Sequence, residues 1–110
     1  MKYEIKEVNG VIVVTIEGDV DLQSSPEARK ALLDGVGRKM PVLVDLAGVG
    51  YIDSSGVASL VESLQTARKN GQEFALAAIS EGTRRVLSLA RLDKVFTIFD
   101  ALQDGLKKLG

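Results

Sequence analysis

The chain has 110 residues and a mass of 11.8 kDa, the size of one ordinary globular domain, so we expect residues 1–110 to form a single domain. Its 45% hydrophobic content and net charge of -1 are typical of a soluble globular protein and exclude a disordered or collagen-like chain. Cys and His are both absent, which excludes disulfides, thiolate catalysis and the usual general base and metal ligands.

The sequence lacks the usual signals of membrane-spanning, secreted and nucleic-acid-binding proteins. The longest apolar run, Phe74 to Ile79, has six residues, whereas a membrane helix needs about 20. The N-terminus carries two acids within seven residues and no apolar signal segment, so we expect a cytoplasmic protein. A near-zero net charge favours no nucleic-acid partner, and the cluster Arg84, Arg85, Arg91 and Lys94 is typical of a solvated helix face.

The first part of the chain predicts a β-hairpin. Residues Tyr3 to Val8 and Val11 to Glu17 resemble strands, and Asn9-Gly10 between them supplies the two positive φ angles of a type I′ turn. Within the second strand, alternation places Ile12, Val14 and Ile16 on one face.

A helix start follows the hairpin, and two capping arrangements fit the sequence. Either Ser25 is the N-cap with Pro26 at the first helical position, or Ser24 and Glu27 form a capping box. Both arrangements begin an amphipathic helix, whose apolar side starts with Ala28, Leu32 and Leu33.

The remainder alternates predicted strands and helices. The run Val42 to Val44 between Pro41 and Asp45 is typical of a central strand buried on both faces. After a loop from Ala47 to Asp53, apolar residues three and four apart predict a helix from Ser54 to about Asn70, which Gly71 ends. The other predicted elements are a strand over 74–79, a short helix over 83–90, a strand over 95–99, and a helix over 100–109 held down by Leu102, Leu106 and Leu109.

This order of elements predicts an α/β fold. It is a mixed, mostly parallel five-stranded sheet with an N-terminal hairpin and about four helices, because the helical segments are long enough to be crossovers. Functional loops of such sheets follow the carboxyl ends of the strands. Two loops qualify, Gly18 to Asp21 and Tyr51 to Gly56, and we expect them to meet at one rim.

Familiar catalytic motifs are absent from both loops. Neither the P-loop pattern nor the dinucleotide pattern G-x-G-x-x-G is present, and Ser55 has neither the glycine of a nucleophile elbow nor a histidine to activate it. Asp19, Asp21 and Asp53 could hold Mg²⁺ through oxygen ligands, although loop carboxylates more commonly serve as caps and turn residues.

The segment Asp53-Ser54-Ser55-Gly56 has two interpretations. Asp and Ser are preferred N-caps, because their oxygens accept hydrogen bonds from the free N–H groups of the first helical turn. A serine hydroxyl at an exposed helix N-terminus is alternatively a site for phosphorylation, which adds a charge of about -1.5 to -2 and would turn a neutral contact surface into an anionic one.

Three segments carry a resemblance to a known family. Gly18-Asp19-Val20-Asp21 is similar to a G-E-[LI]-D loop, Val42 to Leu46 with Tyr51 to Gly56 to a strand and D-S-[ST]-G loop, and Leu92 to Phe96 to a characteristic ending. Together they resemble the STAS domain, and specifically the stand-alone anti-sigma factor antagonists of bacteria. The resemblance spans nearly the whole chain.

The resemblance implies a regulatory protein that is not an enzyme and needs no cofactor. Its phosphorylation site would be Ser54, modified by a serine kinase that is also an anti-sigma factor and supplies the ATP, and dephosphorylated by a PP2C-type phosphatase. The unphosphorylated form would bind the anti-sigma factor and release its sigma factor. From the motif positions and the exposed side of the following helix, the expected partner-binding residues are Asp19, Asp21, Asp53, Ser55, Gly56, Ala58 and Glu62.

One departure from the family pattern leaves an alternative open. The family often continues after the motif glycine with Leu-Gly, whereas this chain has Val57-Ala58. STAS domains also occur as small scaffold subunits of lipid-transport ABC systems, and such a subunit, without phosphorylation, is the alternative function.

Overall fold

The predicted hairpin is present in the computed structural model, which describes residues 1–110. Strands β1 (Lys2–Val8) and β2 (Val11–Glu17) pair in antiparallel fashion, with Val8 opposite Val11. Asn9 and Gly10 have φ angles of 52° and 80°, as a type I′ turn requires. The Asn-Gly signal therefore predicted both the turn and its register.

The sheet has five strands in the order β1-β2-β3-β4-β5. Strands β3 (Val42–Gly48), β4 (Phe74–Ala77) and β5 (Thr97–Phe99) run parallel to β2, so only the first pair is antiparallel. The predicted mixed α/β fold is confirmed, and β3 is the central strand as expected.

Four helices cover the two faces of this sheet. They are α1 (Ser25–Gly37), α2 (Ser54–Lys69), α3 (Glu81–Leu89) and α4 (Leu102–Leu109). A core of 21 buried residues joins one face to α1, α2 and α3, while a cluster of six joins the other face to α4. None of the four has the length and apolar content that crossing a membrane requires.

Alternation along β2 explains the two clusters. Ile12, Val14 and Ile16 enter the large core, whereas Val11 and Val13 enter the small one, because successive side chains of a strand point to opposite faces. The predicted role of α4 is also confirmed, since Leu106 is buried in the small cluster and Leu102 and Leu109 pack against it.

Several predicted boundaries were wrong by a few residues. Strand β3 continues to Gly48, because Glu17 of β2 still pairs with it there. Strand β4 stops at Ala77, because Ala78 has a φ of 58° and leaves the extended conformation. Helix α3 starts at Glu81, because the Ser80 hydroxyl caps it by accepting a hydrogen bond from the N–H of Thr83. Strand β5 and helix α4 begin two residues later than predicted.

The start of α1 has the N-cap residue of the second prediction, Ser24, but not its capping box. Ser24 occupies the N-cap position with Pro26 in the first turn, but its hydroxyl makes no hydrogen bond to the helix. That hydroxyl is bonded instead within the preceding loop, to Asp19 and Asp21. Ser25 is the first residue of the helix and is buried.

Candidate functional site

The two loops predicted to meet do meet at the carboxyl ends of β2 and β3. Val20 forms a parallel bridge with Ile52, since its N–H donates to the Tyr51 carbonyl at 3.0 Å and its carbonyl accepts from the N–H of Asp53 at 3.0 Å. This short pairing extends the β2–β3 ladder beyond Gly48. It holds the two loops at a fixed register.

The bridge determines which side chains face outward. Val20 and Ile52 are both buried, so their neighbours Asp21 and Asp53 lie on the opposite, outer side of the paired segments. The charge of Asp53 slightly raises the pKa of Asp21, against the larger lowering by hydrogen bonds from Ser24. The loops thus form an acidic rim, in which Asp19 and Asp21 are exposed and Asp53 is half-buried.

Asp53 is the N-cap of α2. Its Oδ1 accepts hydrogen bonds from the N–H of Ser55 at 3.0 Å, from the N–H of Gly56 at 3.2 Å and from the Ser55 hydroxyl at 2.5 Å. The hydroxyl bond of Ser55 is the main influence lowering the pKa of Asp53, and the N–H bonds add to it. The carboxylate is therefore ionised at neutral pH and caps the helix in that form.

Ser54 is left without such a role. It is the first residue of α2 and is exposed, and its hydroxyl has no hydrogen-bond partner in the chain. Ser55, by contrast, is half-buried and commits its hydroxyl to Asp53. The two adjacent serines therefore differ in availability, although the sequence alone gives them the same chemistry.

The N-cap assignment predicts that Ser54 contributes little to stability. The Ser54→Ala variant is expected to unfold with a free energy within about 0.3 kcal/mol of the original, because Asp53 still caps the helix. The Asp53→Ala variant loses the acceptor, and its melting temperature is expected to fall by roughly 5 °C. Thermal melts measure both changes, and a Ser54→Ala protein that melts as low as Asp53→Ala would contradict the assignment.

Gly56 does not fit the expectation that it contacts a partner, because it is buried. A Cβ atom at this position would clash with Ile52 Cγ1 and would lie 2.8 Å from Val20 Cγ1. The missing side chain lets the first turn of α2 approach the Val20–Ile52 bridge. Gly56 therefore positions the helix end that carries Ser54.

The first loop is held by its own hydrogen bonds. Asp21 Oδ1 accepts from the N–H groups of Gln23 and Ser24, both at 3.0 Å, and from the Ser24 hydroxyl at 3.1 Å. The Ser24 hydroxyl in turn accepts from the N–H of Asp21 at 2.9 Å and contacts the Asp19 carbonyl at 3.1 Å. The Ser24 N–H bond is the main influence lowering the pKa of Asp21.

The hypothesis of a Mg²⁺ site is not supported. Asp19, Asp21 and Asp53 do not form a cluster that could hold a metal ion. Asp53 instead accepts hydrogen bonds as a helix cap, and Asp21 accepts them within a turn. The commoner roles of loop carboxylates account for the contacts of both residues.

Further along α2, Ala58 and Glu62 follow Ser54 at intervals of four residues, on one side of the helix. Ala58 is exposed. Glu62 accepts two hydrogen bonds of 2.7 Å from the guanidinium of Arg29, which neutralises its charge and joins α2 to α1. Glu62 was predicted from the sequence as a partner-binding residue, but its pairing with Arg29 was not. The two residues are 33 positions apart, and no local pattern connects them.

A third loop also reaches the rim and was missed. The Ser80 hydroxyl donates to the Gly50 carbonyl at 2.9 Å, while its oxygen accepts from the N–H of Thr83. The start of α3 is thereby attached to the loop that leads into Asp53. The sequence Ser80-Glu81-Gly82-Thr83 carries a recognisable N-cap serine, but its second bond depends on the fold.

Comparison with known proteins places this arrangement in a family. The family model for the STAS domain matches residues 2–105, nearly the whole chain. The chain belongs to the STAS domain family. The resemblance seen in the sequence motifs is therefore confirmed.

A curated relative of this STAS domain is the anti-sigma-F factor antagonist RsfB of Mycobacterium tuberculosis. It is 35% identical over 101 residues, which cover 89% of this chain and 80% of RsfB. A crystal structure of an anti-sigma factor antagonist from Mycobacterium paratuberculosis is 28% identical, covers 98% of this chain and 92% of that chain, and superposes with a TM-score of 0.89.

Two structures of the antagonist SpoIIAA share the fold of this STAS domain. The unphosphorylated form superposes with a TM-score of 0.80 at 13% identity, over 97% of this chain and 95% of that chain. The phosphorylated form has a TM-score of 0.75 at 12% identity, over 99% of this chain and all of that chain. The same architecture thus exists in a protein that has been solved both with and without a phosphoryl group.

Proposed function

We propose that this STAS domain is an anti-sigma factor antagonist, a cytoplasmic regulatory protein without catalytic activity of its own. Its unphosphorylated form binds an anti-sigma factor that is also a serine kinase, and so releases the sigma factor. The kinase transfers phosphate from ATP to Ser54, which ends binding, and a PP2C-type phosphatase restores the active form.

The observation that supports this function best is the free hydroxyl of Ser54. A kinase needs an accessible hydroxyl with no competing hydrogen bond, and Ser54 meets both conditions, whereas Ser55 donates its hydroxyl to Asp53. Since Asp53 already caps α2, phosphorylation of Ser54 leaves the cap intact. The modification can therefore change binding without unfolding the helix.

Charge provides the switch. A phosphoserine carries about -1.5 to -2 charges and would stand next to Asp53 and near Asp21, both already ionised. Neither loop supplies a compensating cation, because residues 17–28 and 47–58 contain no Lys or Arg. A partner that covers this rim would have to dehydrate the phosphate without a positive group from this chain, which is strongly unfavourable.

The partner surface in this proposal consists of the rim and the start of α2. Its members are the rim residues Asp19, Asp21 and Asp53, the motif residue Ser55, Ala58 on α2, and Glu62 on α2 with its partner Arg29 on α1. The named antagonists among the relatives favour this function over the alternative of a lipid-transport scaffold subunit.

Phosphorylation with the cognate kinase tests the proposal. The anti-sigma factor kinases of the host are purified and incubated one by one with ATP and this protein, and the phosphate is mapped by mass spectrometry of peptides. The wild-type chain and the Ser55→Ala variant are expected to gain one phosphate on Ser54, because both retain its free hydroxyl. Ser54→Ala is expected to gain none.

Ser55→Ala is a matched control, since it removes a hydroxyl from the adjacent position. If Ser54→Ala were labelled as well as wild type, the acceptor would be another residue. If no kinase of the host labelled the wild-type chain, the proposal of a kinase-controlled switch would fail.

A further inference from the structure

Leu22 is one of the two leucines of this chain that are mostly exposed to solvent. It lies on the acidic rim, and 76% of its surface is exposed. Covering a large exposed apolar side chain with a partner removes it from water, which favours binding. Its neighbours in the loop, Asp21 and Gln23, are polar, so the loop presents a single apolar side chain to solvent.

The turn that carries Leu22 is already rigid. The side chain of Asp21 accepts hydrogen bonds from the N–H groups of Gln23 and Ser24, and the Ser24 hydroxyl closes the turn by accepting from the N–H of Asp21. Leu22 lies inside this closed loop of bonds. The backbone at Leu22 is therefore already ordered, so that less conformational entropy is lost on binding than in an open loop.

The same turn is connected to the Ser54 site. The Val20–Ile52 bridge brings Asp21, the residue before Leu22, beside Asp53, the residue before Ser54, and the N–H of Leu22 contributes to lowering the pKa of the Asp53 carboxyl. Tyr51, two residues before Asp53, is 49% exposed and lies on the outer side of the bridge beside Asp19. Two exposed apolar side chains therefore accompany the free hydroxyl.

We propose that Leu22, together with Tyr51 on the same rim, is the apolar anchor of this surface and inserts into an apolar pocket of the anti-sigma kinase. The proposal rests on the function proposed above and adds the residues that provide the binding energy. Interface energy is concentrated in a few side chains that become fully dehydrated in a pocket, and an exposed leucine on a hydrogen-bonded turn suits that role.

The anchor also explains why a phosphate on Ser54 would end binding. Seating Leu22 and Tyr51 in a pocket removes water from the surface around Asp53. A phosphate at the neighbouring residue would then lose its hydration close to two ionised carboxylates. Tight apolar contact and phosphorylation of Ser54 are therefore mutually exclusive.

A matched pair of leucine truncations tests the anchor. Leu89 is 80% exposed and lies at the last turn of α3, away from the end that contacts Gly50, so Leu89→Ala removes an equally exposed side chain outside the rim. The probe is the purified kinase that phosphorylates Ser54, and the dissociation constant is measured by titration calorimetry without ATP. Leu22→Ala is expected to raise it at least about tenfold, and Leu89→Ala less than about twofold.

Two additional variants complete the test. Leu22→Met keeps an apolar side chain of similar size and is expected to bind within about threefold of wild type, while Tyr51→Ala is expected to bind about fivefold more weakly. All four variants change exposed side chains, so thermal melts close to that of wild type serve as the folding control.

The anchor proposal and the proposed function can be contradicted by different results. If Leu22→Ala binds within about twofold of wild type while Ser54 is still phosphorylated, the anchor proposal is overturned and the proposed function stands. If the wild-type chain neither binds a kinase nor receives phosphate on Ser54, both are overturned. Equal losses for Leu22→Ala and Leu89→Ala would also overturn the anchor, since position on the rim would then be irrelevant.

Discussion

Replacing Ala58 with Arg is expected to weaken binding of the anti-sigma kinase about 100-fold. Ala58 is exposed and lies one helical turn after Ser54 on the same side of α2, so any partner that reaches the Ser54 hydroxyl must also approach this methyl group. A long, charged side chain there would separate the two surfaces. A loss of about 2.7 kcal/mol corresponds to this factor, which is within the range for a disrupted interface centre.

Three further variants are measured together with Ala58→Arg. They distinguish the effects of side-chain bulk, of negative charge and of position on kinase binding. Ser54→Ala is expected to bind like wild type, and Ser54→Asp more weakly, because a carboxylate imitates a phosphate only in part. Gln103→Arg on α4 adds the same side chain at an exposed position on the opposite face of the sheet and is expected to bind normally. Equal binding by all four variants would show that the interface lies elsewhere on the domain and would favour the scaffold function.

The largest expected change in stability comes from Gly56→Ala. A methyl group at this position would overlap Ile52 and lie 2.8 Å from Val20, both of which are buried in the bridge between the two loops. Overpacking of this kind costs about 3 kcal/mol, and the better helix propensity of Ala offsets about 1 kcal/mol. We expect the free energy of unfolding to fall by about 2 kcal/mol in a urea titration.

Gly37→Ala is the control for that substitution. Gly37 is the last residue of α1, and a Cβ atom there would have no neighbour within 4 Å. Alanine is therefore expected to leave stability unchanged or slightly higher, because it restricts the unfolded chain. If Gly56→Ala were as stable as Gly37→Ala, the close approach of α2 to the bridge would not be what requires glycine.

Much of the fold could be predicted because its signals are local. Asn9-Gly10 specifies a turn through the φ angles it tolerates, and the apolar run at Val42 specifies a strand buried on both faces. Boundaries were less predictable where a single residue departs from the expected conformation. Ala78, whose positive φ ends β4, carries no sequence signal for that conformation.

The candidate site was predictable as a place but not in its chemistry. The predicted strand order, with the rule that functional loops follow the carboxyl ends of parallel strands, predicted from the sequence alone that the two loops meet. The choice of Ser54 over Ser55 rested on the family resemblance, because the bond between the Ser55 hydroxyl and Asp53 is a property of the folded helix start. Ser24 likewise looked like a helix cap, but its hydroxyl bonds to the loop instead.

Long-range contacts account for the remaining omissions. Arg29 and Glu62 meet only because α1 and α2 pack side by side on the sheet. The polar loop after β2 contains two apolar residues, Val20 and Leu22, and only the structure shows that Val20 is buried and Leu22 exposed.

The most direct measurement of the central claim is the affinity of the anti-sigma kinase for two forms of the same wild-type chain. The protein is phosphorylated to completion, the phosphate is mapped, and both forms are titrated with kinase in the absence of ATP. We expect phosphate on Ser54 to raise the dissociation constant at least about 100-fold and to leave the melting temperature unchanged. Equal affinity of the two forms, with Ser54 fully phosphorylated, would contradict it.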